Sequence, residues 1–216
     1  MMNIETQRTA GITASVIEEY CRTFLRNPYW CYTEHGIHAQ FYTMLLSELP
    51  VGEVNYSGQQ VCRVQKEYPT AAKLKKSRRQ HWDIAVLDVA ADPVPGKHPA
   101  YDHLKLDCVV EFGLNEKPEH LEDDIRRVSH PESATANAFV VHLYRLSWPL
   151  FSKRDRSDRS TAILSAQVIQ DLLLKNQHPD SVVPVSIYLA RADRIDRRNS
   201  GIWRINTQGT TPLQVE

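Results

Sequence analysis

The chain has no CxxC pair, no apolar run approaching the length of a membrane span, no surplus of either charge and no glycine-rich phosphate loop. Each absence removes a class of function. Cys21, Cys31, Cys62 and Cys108 are spread without metal-like or redox-like spacing, and two of them fall inside helix or strand patterns. Buried, reduced thiols in a cytoplasmic protein are therefore expected. The first residues, Met1 to Gly11, are polar and carry no apolar core of a signal peptide, so neither secretion nor membrane insertion is expected. Lys plus Arg (26) equals Asp plus Glu (26), which leaves no global field to draw in nucleic acid or an anionic membrane. A polyanion site would have to arise from local clustering. The 8 glycines include no GxxxxGK, which removes the basis for an ATP site, and no nucleophile-elbow pattern supports acyl transfer.

What is present is ordinary globular material: 216 residues, 42% hydrophobic and 24% charged, suited to one domain spanning 1–216. Ser15 to Glu18 fits a capping box, and Val16, Ile17, Tyr20, Cys21, Phe24 and Leu25 recur with helical period until Asn27-Pro28. A second helix is expected from about Thr33, with Ile37, Phe41, Met44 and Leu45 on one stripe and Glu34 one turn earlier. Strands are expected at Gln60 to Tyr68, around Asp83, and from about Lys105 through Glu111. The first two would form a hairpin whose tip carries Lys73, Lys75, Lys76, Arg78 and Arg79. Leu121, Ile125 and Val128 then mark an amphipathic helix between Pro118 and Pro131. A strand at Phe139 to Leu146, a helix at about Ser160 to Lys175 and a strand near Val185 to Ala190 complete the pattern. Three consecutive strands followed by a crossover helix into a fourth imply a mixed sheet with helices on both faces.

Two acidic residues stand out within this pattern. Asp83 in His81-Trp82-Asp83-Ile84-Ala85-Val86-Leu87 and Glu111 in Cys108-Val109-Val110-Glu111-Phe112-Gly113 lie on neighbouring runs with apolar residues on both faces. Such a run reads as a strand covered on both sides, where a carboxylate needs a cation or hydrogen-bond donors. A divalent metal is the natural cation.

These residues, in this order of elements, resemble the PD-(D/E)XK nuclease superfamily over roughly residues 34–146. In that family an Asp opens the second core strand, a Glu-x-Lys motif lies on the third, and a Glu often comes from the first helix. Asp83, Glu111 and Glu34 fall on those places, and Gly113 stands where the lysine is expected. The resemblance implies an α/β, restriction-endonuclease-like three-layer α/β/α fold with a central mixed sheet. Outside that core it leaves a helical N-terminal extension and a C-terminal helix and strand elaboration. It further implies hydrolysis of DNA phosphodiester bonds with Mg²⁺ or Mn²⁺ held by Asp83, Glu111 and Glu34. Carboxylate-held metal neutralises the phosphate and activates water near neutral pH.

Residues two apart on a strand share a face about 7 Å apart, so a lysine two after Glu111 would help position that water, and glycine cannot. Lys117, before the crossover helix, and Lys66, on the first core strand, are the candidate replacements; Lys105 lies about 20 Å away along the strand and is excluded. If the amine is lost rather than moved, the resemblance implies an inactive fold kept as a nucleic-acid- or protein-binding module. The basic run Lys73 to Arg79 would contact the nucleic acid in either case, a homodimer is compatible with the composition, and no membrane partner is expected.

Bland roles compete with each of these residues. A strand-end carboxylate can pair with an arginine, Glu34 can simply complement a helix dipole, and a basic run is often a solvated loop. Glu34 and His38, four apart on a helix, could hold a transition metal, but two ligands without a partner are a weak signal. Trp82 beside Asp83 reads as core packing rather than as a base-stacking platform.

Overall fold

Helix α1 (Ile4–Arg26) opens the chain in the computed structural model, which describes residues 4–56, 58–71, 80–89, 93–94, 103–146, 165–193 and 197–215. It begins well before the capping box expected at Ser15, whose hydroxyl instead donates to the Gly11 carbonyl inside the helix. The early turns escape a hydrophobic reading because they bury Thr6, Thr9 and Thr13. Those hydroxyls are held by polar partners: Thr6 donates to Asp107 at 2.7 Å, Thr9 accepts from Arg63 at 2.7 Å, and Thr13 lies 3.4 Å from the Cys108 sulfur. Helix α2 (Glu34–Glu48) starts where expected, with the Thr33 hydroxyl accepting from the Gly36 amide.

The strand expected at Gln60 to Tyr68 is two strands. Strand β2 (Gln59–Cys62) pairs with β1 (Glu53–Tyr56) in a separate hairpin, and β3 (Val64–Pro69) joins the main sheet. Arg63 is the break. Its guanidinium is fully buried, donating to the Leu87 carbonyl at 3.1 Å and to Asp107 at 2.8 Å, at the bend between the two strands. Strand β4 (His81–Leu87) returns antiparallel to β3, giving the expected hairpin arms. The short ladder of β5 (Pro93–Val94) and β6 (His103–Leu104) follows.

Next come β7 (Leu106–Leu114), α3 (Pro118–Val128) and β8 (Thr135–Leu146), as the periodicity predicts. Helix α4 (Ala166–Asn176) is capped by Ser165, and the residues 160–164 expected at its start lie outside the described ones. Strand β9 (Val185–Asp193) is followed by an unexpected hairpin, β10 (Gly201–Asn206) and β11 (Gly209–Leu213). Its turn is held by the Asn206 side chain, which accepts from the amides of Gln208 and Gly209. Ile202 and Ile205, the buried residues of β10, are three apart, so no alternating pattern announces the strand.

The sheet has seven strands in the order β11-β10-β9-β8-β7-β4-β3. Strands β7, β8 and β9 are parallel and the outer pairings antiparallel, so the sheet is mixed, as expected. Helices α1 and α2 pack their apolar residues, among them Ile17, Tyr20, Ile37 and Phe41, on one face with Val110, Phe112 and Val141. Helices α3 and α4 cover the other, where Leu121, Ile125, Ile169 and Leu173 meet Val109, Val140 and Ile187. Helix α1 runs across β7, β8, β9 and β10. Strand β7 is thus buried on both faces, which explains its nearly continuous apolar run. No helix among the described residues is long and apolar enough to cross a membrane.

Candidate metal centre

The acidic residues gather where β4 and β7 part. Their ladder ends at Ile84 and Val110 on this side, and the next amide of β7, that of Phe112, donates to the Asp83 carboxylate at 2.7 Å. The Asp83 side chain thereby occupies the gap between the strands, with 19% of its surface exposed. Glu111 projects beside it and is almost fully buried, close enough to Asp83 for each carboxyl to bear on the ionisation of the other. Glu34 reaches in from the first turn of α2 and accepts from the Leu114 amide at 3.2 Å. The structure therefore brings Glu34, Asp83 and Glu111 to one end of the central strands.

Helix α3 lays a polar stripe over this place. His120, Asp124 and Arg127 sit at i, i+4 and i+7, directly beside the apolar stripe Leu121, Ile125 and Val128. Arg127 lies 2.7 Å from one oxygen of Glu111 and 3.1 Å from Asp124, with its guanidinium 5.7 Å from the buried Trp82 ring. The other oxygen of Glu111, Oε1, is buried with no hydrogen-bond partner. Asp124 also lies 3.2 Å from His120 Nδ1 and 3.4 Å from His142 Nε2.

His142 comes from β8, where it pairs with Gly113 across the parallel ladder. Its ring fills the room beside Gly113, so the position that resembles the family's lysine site holds an imidazole from the neighbouring strand. None of His120, Asp124, Arg127 and His142 emerges from the sequence reading. The polar stripe next to the apolar one on α3 was a usable signal; the histidine inside the apolar run Phe139 to Leu146 was a weaker one.

Burial and mutual repulsion shape the titration of these groups. Burial raises Glu111 well above the usual carboxylate range, Asp83 reinforces the rise, and Arg127 opposes it. Asp83 and Glu34 are also raised by burial, each moderated by the backbone amide it accepts from. Asp124 goes the other way: burial alone would raise it, but His120 and His142 overcome that and hold it at about 2.

A second group lies on the α2 side of the same strands. His38 is 2% exposed and neither ring nitrogen has a hydrogen-bond partner, although Nε2 stands 3.6 Å from Asp83. His35 and Glu67 complete a cluster with it, and Glu67 occupies a left-handed backbone conformation (φ 50°) where β3 skips a pairing with β4. The i, i+4 partner read from the sequence, Glu34, turns instead to the Leu114 amide.

Of the two candidate amines, Lys66 on β3 acts on His38, while Lys117 is the exposed N-cap residue of α3. Neither forms an ion pair with Glu34, Asp83 or Glu111 among the described residues. Lys73, Lys75, Lys76, Arg78 and Arg79 lie outside the described residues, between β3 and β4. All four cysteines are free, Cys21 and Cys108 buried and Cys31 and Cys62 half-buried. Trp82 is core packing, fully buried. A groove of about 650 Å³ between α1 and α2, lined by Arg8, Glu19, Met44 and Glu48 among others, contains none of the carboxylates above. Compared with protein-family models, curated proteins and solved structures, the chain matches none.

Proposed function

We propose that the protein is a metal-dependent nuclease acting on DNA, with Asp83 and Glu111 as the ligands of a divalent ion, Mg²⁺ or Mn²⁺, and Glu34 beside them. The observation that carries this reading is the orphaned Glu111 Oε1, a buried carboxylate oxygen with no hydrogen-bond partner, on a residue whose charge is opposed by the neighbouring Asp83. Glu111 and Asp124 pair with one guanidinium, that of Arg127, Asp83 adds its charge to it and Glu34 stands beside Asp83, and hard oxygen donors in excess of fixed cations fit a hard cation. When bound, such an ion supplies charge neutralisation at the phosphate and activation of the attacking water.

The residues of the chain divide the remaining work. The Phe112 and Leu114 amides fix Asp83 and Glu34 in direction, and Arg127 orients Glu111 while adding a permanent positive charge beside a phosphate. Lys117, exposed at the start of α3, and Lys66, whose charge is felt by His38, remain the two amines proposed to replace the lysine. The order β3-β4-β7-β8 with α3 as crossover supports assigning the sheet to the restriction-endonuclease-like three-layer arrangement.

A second reading is favoured by Gly113 and by the ion pair already made between Arg127 and Glu111: a catalytically inactive relative of that fold serving as a binding module. Incubating purified protein and its Asp83→Asn variant with single- and double-stranded DNA and with RNA, in Mg²⁺ or Mn²⁺, separates the two. Metal-dependent cutting of DNA that the variant loses supports the nuclease. No cutting by either folded protein supports the binding module.

A further inference from the structure

We propose that His120, Asp124 and His142 form a transition-metal site, for Zn²⁺ or an ion of similar preference, distinct from the carboxylate pair Asp83 and Glu111. Two elements build it. His120 and Asp124 stand one turn apart on α3, and His142 faces them from β8. The three ligand atoms lie within 4.8 Å of one another, with His120 Nδ1 at 3.2 Å and His142 Nε2 at 3.4 Å from the same Asp124 oxygen. An ion bound tetrahedrally with bonds of about 2.0–2.1 Å spaces its ligand atoms about 3.3 Å apart, which matches the two contacts to Asp124.

Proton accounting points the same way. The Tyr144 hydroxyl donates its single proton to the Glu116 carbonyl at 3.2 Å, so towards His142 Nδ1, 3.5 Å away, its oxygen can only accept. With the proton of a neutral ring on Nδ1, the lone pair of Nε2 is presented beside Asp124, as in a metal-ligating imidazole. That contact is satisfied either by a proton on Nε2, which makes the 3.4 Å hydrogen bond to Asp124, or by a cation held between the two. His120 Nδ1 presents the same problem: it is buried and close to Asp124, yet makes no hydrogen bond of acceptable direction. One shared ion resolves both contacts.

The surroundings suit that ion. The second oxygen of Asp124 is held by Arg127 at 3.1 Å, which fixes the carboxylate's direction as outer-sphere partners of metal ligands do. His120 is 41% exposed as a side chain although its Nδ1 is buried, so the site lies just beneath the surface of α3. Two imidazoles and one carboxylate select Zn²⁺, Co²⁺ or Ni²⁺ over Mg²⁺, whereas the all-oxygen pair of Asp83 and Glu111 has the opposite preference. Gly113 makes room for the His142 ring, since a Cβ there would fall 2.8 Å from it. None of this depends on the nuclease reading.

Titration of the full, metal-free chain with CoCl₂, followed by the visible bands of four-coordinate cobalt and then by displacement with ZnCl₂, tests the site. Tetrahedral bands that saturate at one such cobalt ion per chain are expected, ions held by carboxylates alone giving only the weak bands of six-coordinate cobalt. His120→Ala, a change at the half-exposed helix surface, weakens cobalt binding at least about tenfold, and Asp83→Asn leaves it unchanged. His142 is fully buried and its replacement endangers folding. The histidine ring resonances of the unmodified protein therefore serve as the second measurement, with those of His120 and His142 shifting on Zn²⁺ addition. Absence of tetrahedral bands, wild-type affinity in His120→Ala, loss of cobalt in Asp83→Asn, or unmoved His120 and His142 resonances would each overturn the proposal.

Discussion

The imidazole of His142 occupies the volume that any side chain at position 113 would need: a Cβ on Gly113 falls 2.8 Å from the ring's Cε1 and Nε2 atoms. The glycine and the histidine are neighbours on parallel strands buried on both faces, so neither can give way into solvent. Gly113→Ala is expected to cost about 1–3 kcal/mol in urea unfolding, as overpacking of a dense core does. Gly113→Lys should cost more and should not create a working Glu-x-Lys motif. In Gly113→Ala/His142→Ala the cost of the pair should fall short of the sum of the single changes. A Gly113→Ala protein as stable as the parent would show that the ring moves aside freely.

Arg63 and Asp107 form a buried ion pair at 2.8 Å beneath the first turns of α1. Removing one partner leaves the other charged without compensation, so Arg63→Met is expected to destabilise by about 3–5 kcal/mol. Adding Asp107→Leu should recover part of that loss. If the double variant is weaker than Arg63→Met in chemical denaturation, the pair is not the source of the cost.

His38 gives the fold an acid-sensitive point. Burial, with Lys66 and His35 adding to it and Glu67 opposing, lowers its pKa to about 4, while Asp83 stands 3.6 Å away. The unfolded chain, with an ordinary histidine near 6.5, then binds more protons than the folded one between these values. Stability from this group is present above about pH 6.5 and lost as the pH falls towards 4, on the order of 2–3 kcal/mol. The dependence of stability on pH in this window, measured in chelator, should flatten in His38→Gln. An unchanged slope would assign the acid sensitivity elsewhere.

Arg127 is shared between Glu111 and Asp124. Arg127→Met should lower the melting temperature in chelator, because it strands buried carboxylates at a cost of about 3–5 kcal/mol. Under the proposed function, added Mn²⁺ should restore more stability to this variant than it adds to the parent protein. Equal stabilisation of both by Mn²⁺ would argue against an ion taking up the charge of Glu111.

The parts of this molecule legible in the sequence are those governed by local period. The apolar stripes of α2 and α3, the runs through Asp83 and Glu111, and the mixed sheet all follow from spacing within short windows. The beginning of α1 was hidden because its buried face is made of threonines whose partners, Asp107, Arg63 and Cys108, are remote in sequence. Arg63 read as one residue of a continuous strand for the same reason: its burial is explained by Asp107, not by its neighbours.

At the candidate site, Glu34, Asp83 and Glu111 could be picked out because acidic residues interrupt apolar or helix-start patterns. Gly113 read as an amine missing from the chain. Its physical reason lies across the β7–β8 ladder in His142, and pairing between parallel strands leaves no mark in either strand alone. Lys66 and Lys117 were indistinguishable in sequence; only the fold places the first near His38 and the second at the exposed start of α3.

Helix α1 lies across strands that are synthesised at very different times. It rests on β7 and β8 but also on β9 and β10, and the Arg22 guanidinium reaches the Gln214 carbonyl at 3.5 Å. On a ribosome, Tyr20 can meet Phe41 of α2 and Phe112 of β7 early, but the part of the helix that rests on β9 and β10 must wait until those strands have emerged. A helix made before every strand of the main sheet thus has its packing completed only by two of the last strands to be made.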